Sequence, residues 1–244
     1  MTEVFRGDDL PYPPMSRAEG PMAKSASGSG LSNPTVLADY TTLGLGGPAR
    51  VFASADTEQA LIDALRDADA SGEPALLIGG GSNLVISDTG FPGTVVHVNT
   101  RGLTYVDDGD GSVSVTVAAG EDWDDVVAAT VAEGLAGLEP LSGVPGRTGA
   151  TPIQNVGAYG REVAEVITRV RVHDRRGDRI LTLGNEGCRF AYRTSLFKSA
   201  QARYVVLDVT LRLPRQALSL PVRYAELAAG LGVALGERAS VAEA

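Results

Sequence analysis

"LLIGGGSNLVISDTGF", residues 76–91, decides the fold. An apolar run ends in Gly79-Gly80-Gly81, followed by Ser82 and Asn83, and then a second apolar run begins. The first run reads as a short buried strand, and "LVISD" after Asn83 reads as extended. Glycine lets the backbone take positive φ and lets a ligand approach the chain closely. Consecutive N–H groups freed in this way converge into an anion nest, and the Ser and Asn side chains add donors. This chemistry suits a pyrophosphate. The same three glycines would also serve a tight turn packed against another element. Two familiar nucleotide signatures are excluded. There is no G-x-x-x-x-G-K-[ST], and no G-x-G-x-x-G opens a helix here, which argues against a P-loop and against a Rossmann site.

Upstream, "ARVFASA" reads as a strand and "DTEQALIDALRDADASG" as a helix. Asp56 is the expected N-cap with Gln59 three residues on, and Gly72 the stop. "TVVHV" downstream reads as another strand. Strand, helix, strand, loop, strand predicts a small parallel α/β layer over residues 36–100. Over 101–213 the pattern changes. "SVSVTVA" alternates strictly. "EDWDDVVAATVAEG" puts Trp123, Val126, Val127, Thr130 and Val131 on one helical face, with acids in the first turn where the dipole favours them. "RVRVHDRRGDRILTL" reads as a hairpin turning at Arg176-Gly177-Asp178, and "YVVLDVTLRL" as a long strand. The class is α+β: a small parallel α/β layer plus a mostly antiparallel sheet with helices. Residues 1–33, rich in Pro, Gly, Ser and Ala, read as a disordered leader. Residues 214–244, with "YAELAAGLGVAL" as a helix, read as the start of a further domain that breaks off.

Two other segments stand out. "GLEPLSGVPGRTGATPIQNVGAYG", residues 137–160, is long and nearly uncharged, unlike a bland connector. Its composition suits a wall for a flat, partly apolar ring, with Thr, Gln and Asn giving directed hydrogen bonds. "CRFAYRTSLFK", residues 188–198, sets Arg193 between Phe190, Leu196 and Phe197. A rigid Arg fork matches a carboxylate or phosphate, and an Arg in a hydroxyl-rich surface turn is the plainer alternative.

The chain has 244 residues and a formal net charge of −9. Its long-range field has the wrong sign for nucleic acid or anionic lipid, so neither is an expected partner. One cysteine, Cys188, allows no intrachain disulfide and reads as a small buried residue. His97 and His173 are far apart in sequence, and no metal site is expected. No apolar run approaches the roughly 20 residues that span a bilayer, and no signal-peptide order opens the chain. A cytoplasmic protein is expected.

Taken together, "TTLGLGGPA", "IGGGSNLVISD", the 137–160 stretch and "CRFAYRTSLFK" resemble the UDP-N-acetylenolpyruvoylglucosamine reductase family, four motifs in order over about residues 36–235. The resemblance implies the two-subdomain FAD-binding fold of the vanillyl-alcohol oxidase type. It implies noncovalent FAD, with NADPH as co-substrate, and reduction of UDP-N-acetylglucosamine enolpyruvate to UDP-N-acetylmuramate for peptidoglycan synthesis. Carried over residue by residue, Gly79, Gly80, Gly81, Ser82 and Asn83 would receive the pyrophosphate. Val144, Pro145, Gly146, Gly149, Thr151, Gln154, Asn155 and Gly157 would line the rest of the cofactor. Arg193 would polarise the substrate carboxylate, Tyr192 would touch substrate, and Tyr224, in "VRYAEL", resembles a tyrosine of a loop that closes over substrate. The family's third domain, with its proton-donating serine and assisting glutamate, has no counterpart motif here, so this polypeptide is expected to be an incomplete, near-inactive form. Two other readings stay open: a non-catalytic flavin-binding module, and another flavin oxidoreductase of the same fold. The oligomeric state is not legible.

Overall fold

The computed structural model describes residues 3–4, 34–200 and 202–243. Strand β1 (Glu3–Val4) runs parallel to Leu84–Val85. The rest of the expected leader lies outside the described residues.

A parallel layer follows: β2 (Ala49–Ala55), helix α1 (Glu58–Ser71), β3 (Ala75–Ile78), the two-residue β4 (Leu84–Val85) and β5 (Phe91–Val98). Strand β5 lies between β2 and β3, all three parallel. Helix α1 starts one residue later than its sequence signal. Thr57, not Asp56, is the N-cap, its side chain accepting from the Ala60 amide at 3.1 Å. Asp56 instead accepts from the Asn99 side chain at 2.6 Å. The tertiary partner at the end of β5 outbids the local cap. The helix stops, as expected, at Gly72 in the left-handed conformation.

The antiparallel layer contains β6 (Leu103–Asp107), β7 (Ser112–Ala118), α2 (Trp123–Ala132), the short hairpin β8 (Gly157–Ala158) and β9 (Arg161–Glu162), then β10 (Ile167–Asp174), β11 (Arg179–Gly184), α3 (Leu196–Ser199) and β12 (Tyr204–Pro214). Its main sheet has the order β11-β10-β12-β7-β6. Strand β7 buries alternate residues Val113, Val115 and Val117. The β10–β11 turn falls where the sequence places it, Asp174 opposite Arg179. "LVISD" holds extended pairing only at Leu84–Val85. Helix α4 (Ala225–Leu231) is shorter than its apolar pattern.

Helix α1 is the joint between the layers. Leu61, Ile62 and Leu65 are buried against Ala55 and Val96 on one side and Val205 and Leu207 of β12 on the other. Full burial of such side chains is worth about 1.5–3 kcal/mol each. Ion pairs ring the same joint: Arg66 to Asp178 at 2.8 Å, Arg175 to Asp69 at 2.6 Å and Arg171 to Glu58 at 3.1 Å. The more exposed of these, Arg66–Asp178 and Arg171–Glu58, are each worth about 0–1 kcal/mol, so apolar contact holds the layers and the charges fix their register. The antiparallel layer has its own core, in which Trp123 packs with Val163, Val170, Cys188, Phe197 and Leu211.

Candidate functional site

The glycine loop begins where β3 ends. Ligands of parallel α/β sheets bind outside the carboxyl ends of the strands, and Gly79 is the first residue past that end. Gly81 has φ +63, and a Cβ built there would collide with the carbonyl oxygen of Tyr40. Its own carbonyl accepts from the Thr42 amide at 3.2 Å. Residues 40–42 therefore pin the loop from behind. From the front comes the second glycine segment. A Cβ on Gly80 would lie 3.2 Å from the Cα of Gly146, and the Ser82 hydroxyl donates to the Pro145 carbonyl at 3.3 Å. Two loops distant in sequence thus approach backbone to backbone. Among the described residues, the amides of Gly79, Gly80, Gly81, Ser82, Asn83 and Gly146 donate to no protein acceptor. Free amides gathered this way fit a phosphate-bearing ligand.

Helix α2 positions the second segment. Asp124, in its first turn, accepts from the Gly143 amide at 2.7 Å and the Ser142 hydroxyl at 2.9 Å. Those donors, the Gly143 amide first, hold the Asp124 carboxyl below its usual pKa. The buried Trp123 indole donates to the Leu141 carbonyl at 3.1 Å. The backbone on either side of Arg147 is fixed too: Trp123 donates to the Gly146 carbonyl at 3.1 Å and Thr148 to the Glu121 carbonyl at 2.9 Å.

From Pro145 the site continues into an open groove lined by Ser142, Gly143, Val144, Pro145, Ala158, Tyr159 and Tyr224. Tyr159 and Tyr224 meet edge to face, ring centroids 5.5 Å apart, a geometry that aromatic pairs favour. The 155–159 turn and the 188–198 segment, joined through Asn155, carry backbone strain. Asn155, Tyr159, Arg189 and Arg193 all take left-handed φ, between 47 and 54°. Such non-glycine outliers cost about 1 kcal/mol or more each and gather at functional sites. Arg193 donates to the Gly157 carbonyl at 2.6 Å and leaves its other donors exposed. Lys198 holds the Arg193 carbonyl at 3.2 Å.

Some expected site residues sit differently. Asn155 is buried and commits both amide hydrogens internally, to Glu162 at 2.7 Å and to the Ala191 carbonyl at 3.1 Å. Its oxygen accepts from the Ala164 amide at 3.1 Å. It ties the 155–160 turn to the 188–198 segment, and its side chain has no donor left for a ligand. Gly149 packs its amide on the Ala119 carbonyl at 2.8 Å, and the Thr151 hydroxyl donates to Thr148 at 2.8 Å, so both shape the loop from inside. Gln154 is partly exposed. Tyr192 is 81% exposed and stands outside the groove, with the Arg193 guanidinium 5.9 Å from its ring. Ser195 is spent as the N-cap of α3 and donates to the Ile153 carbonyl at 2.5 Å.

Burial raises the Cys188 thiol to about 11, in keeping with a packing role. His173 is buried and lies 3.0 Å from Asp178, a carboxylate that the sequence reading did not pair with it. Two site residues were not singled out from sequence, Arg147 and Tyr159. Arg147 had a signal: it is the one charged residue between Glu139 and Arg161. Among the described residues, no helix is long and apolar enough to cross a membrane.

Residues 49–183 match the family described as FAD binding domain. The chain is 54% identical over 207 residues to UDP-N-acetylenolpyruvoylglucosamine reductase of Thermobifida fusca (strain YX), covering 85% of this chain and 58% of that protein. It is 51% identical over 230 residues to the protein of the same name from Saccharopolyspora erythraea, covering 94% and 62%. The chain thus spans about six tenths of the length of the curated relatives it matches. A crystal structure of UDP-N-acetylenolpyruvylglucosamine reductase (MurB) from Thermus caldophilus superposes with a TM-score of 0.58 at 31% identity, covering 75% of this chain and 62% of that one.

Proposed function

This chain belongs to the FAD binding domain family, and from that premise we propose that it holds FAD for the NADPH-dependent reduction of UDP-N-acetylglucosamine enolpyruvate to UDP-N-acetylmuramate. One observation carries the reading: the glycine loop and the 145–147 segment close on each other at the mouth of an aromatic groove, with the amides of residues 79–83 and of Gly146 donating to no acceptor among the described residues. The names of the relatives at 51–54% identity support the substrate.

Bound FAD supplies a two-electron hydride carrier. The amides of residues 79–83 and 146 would take its pyrophosphate, and Val144, Pro145 and the Tyr159–Tyr224 pair would exclude water beside its ring. Arg193 would use its exposed donors to stabilise negative charge developing on the enolpyruvyl carboxylate. Its strained φ of 54° and its bond to Gly157 fix the fork beforehand, so little ordering entropy is left to lose on binding. Ser195 is not the proton donor in this reading, because its hydroxyl is bound to Ile153.

A polypeptide of these 244 residues alone is expected to bind FAD and to turn over slowly. The purified chain should show flavin absorption, and addition of NADPH and substrate should oxidise NADPH far more slowly than about 10 per second. Ordinary turnover would overturn the slow-turnover reading. FAD binding with no response to substrate by the longest available form of the protein would favour a flavin-binding module instead.

A further inference from the structure

We infer that Arg147 is the cationic arm of the phosphate subsite formed by the Gly79–Asn83 loop, an inference that rests on the reading of that loop as the FAD pyrophosphate cradle. Three observations place it there. The stem of Arg147 lies against the start of the loop: a Cβ built on Gly79 would meet its Cγ at 3.1 Å and its Cβ at 3.3 Å. The backbone hydrogen bonds on both sides of Arg147 fix where that stem leaves the chain. Its charge reaches the same corner independently. His97 pairs in register with Ile78, the residue before Gly79, and its imidazole is held below its usual pKa by burial first and by Arg147 next.

The guanidinium is also largely unspent. Among the described residues its one ion-pair contact is a long one, 3.5 Å from Nη1 to Asp122, and its buried Nε meets no hydrogen-bond partner. An Arg head carries five N–H donors in a fixed fork, so an orphaned Nε is costly unless an acceptor arrives. A phosphate oxygen is such an acceptor, matched in shape and charge. The need for a full charge follows from the chain's formal net charge of −9. Amide dipoles offer only partial charges, and the Asp122 carboxylate stands close by. Without a cation the loop would draw a pyrophosphate against the field of the whole molecule.

The test is a titration of the wild-type chain, Arg147→Met and Arg147→Lys with FAD, and with ADP as a competitor that carries the pyrophosphate without the flavin. Methionine keeps the apolar stem on Gly79, and unfolding midpoints check that each variant folds alike. Arg147→Met should weaken FAD and ADP together by about 10- to 100-fold, the worth of a charge-assisted contact, and flatten the dependence of FAD affinity on salt. Arg147→Lys should recover part of the loss. Unchanged affinity in Arg147→Met, or equal losses in Arg147→Met and Arg147→Lys, would overturn the inference and leave the cofactor reading standing. A folded wild-type chain that binds neither FAD nor ADP would overturn both.

Discussion

The 79–83 loop and the 149–157 segment both press glycines against neighbouring backbone and both border the same site, yet they use their polar groups in opposite ways. The first leaves its backbone amides without an acceptor among the described residues and is buttressed from behind by Tyr40 and Thr42. The second turns its polar groups inward, Asn155 to Glu162 and Ala191, Thr151 to Thr148. Small residues serve close approach in both. In one case a ligand approaches the chain, in the other the chain approaches itself, and only the fate of the hydrogen-bonding groups tells the two apart.

The comparison breaks most readily at Gly81. Gly81→Ala forces a Cβ onto the Tyr40 carbonyl at φ +63, whereas Gly44→Ala meets the same φ in open space. Thermal unfolding should show a loss on the order of 3 kcal/mol or more for the first and about 1 kcal/mol for the second. Equal losses would mean that φ alone matters and that the loop is not buttressed.

Asn155 and Asn83 sharpen it next. Asn155→Ala removes three hydrogen bonds of a buried side chain and should cost about 2–3 kcal/mol in urea unfolding. Asn83 is exposed and makes no side-chain bond among the described residues, so Asn83→Ala should stay within about 0.5 kcal/mol of wild type while lowering FAD affinity. The reverse pattern would exchange the roles of the two segments.

Acid stability separates the scaffold from the site. Asp174, held first by its hydrogen bond to Arg203, has its carboxyl lowered to about 2. A depressed carboxylate contributes stability above its unfolded pKa, about 4, and loses it as pH falls through the folded value. Wild type should therefore lose stability between about pH 4 and pH 2, and Asp174→Asn should lose less over that window. The smallest effect is expected at Tyr192, 81% exposed. Tyr192→Ala should leave the unfolding midpoint almost unchanged, so any change in substrate KM reports contact with substrate rather than packing.

Much of this was legible in the sequence because periodicity and glycine placement are local signals. The alternation of β7, the apolar face of α2 and the 174–179 turn follow from neighbouring residues alone. The α1 cap was misread because Asn99, 43 positions on, claims the Asp56 carboxylate. Asn155 looked like a ligand donor because sequence cannot show that Glu162 and Ala191 have already taken its hydrogens. Arg147 was passed over because it sits in a Pro-Gly-Arg-Thr-Gly run that reads as a turn. Its meaning depends on Gly79, which only the fold brings alongside.

The most direct test of the central claim is an amide NMR titration of the isotope-labelled chain with FAD. Binding at the free amides should move the resonances of Gly79, Gly80, Gly81, Ser82, Asn83 and Gly146 most, and leave the internally bonded Gly149 nearly still. FAD binding that shifts Gly149 and its surroundings while residues 79–83 stay unmoved would contradict the cradle.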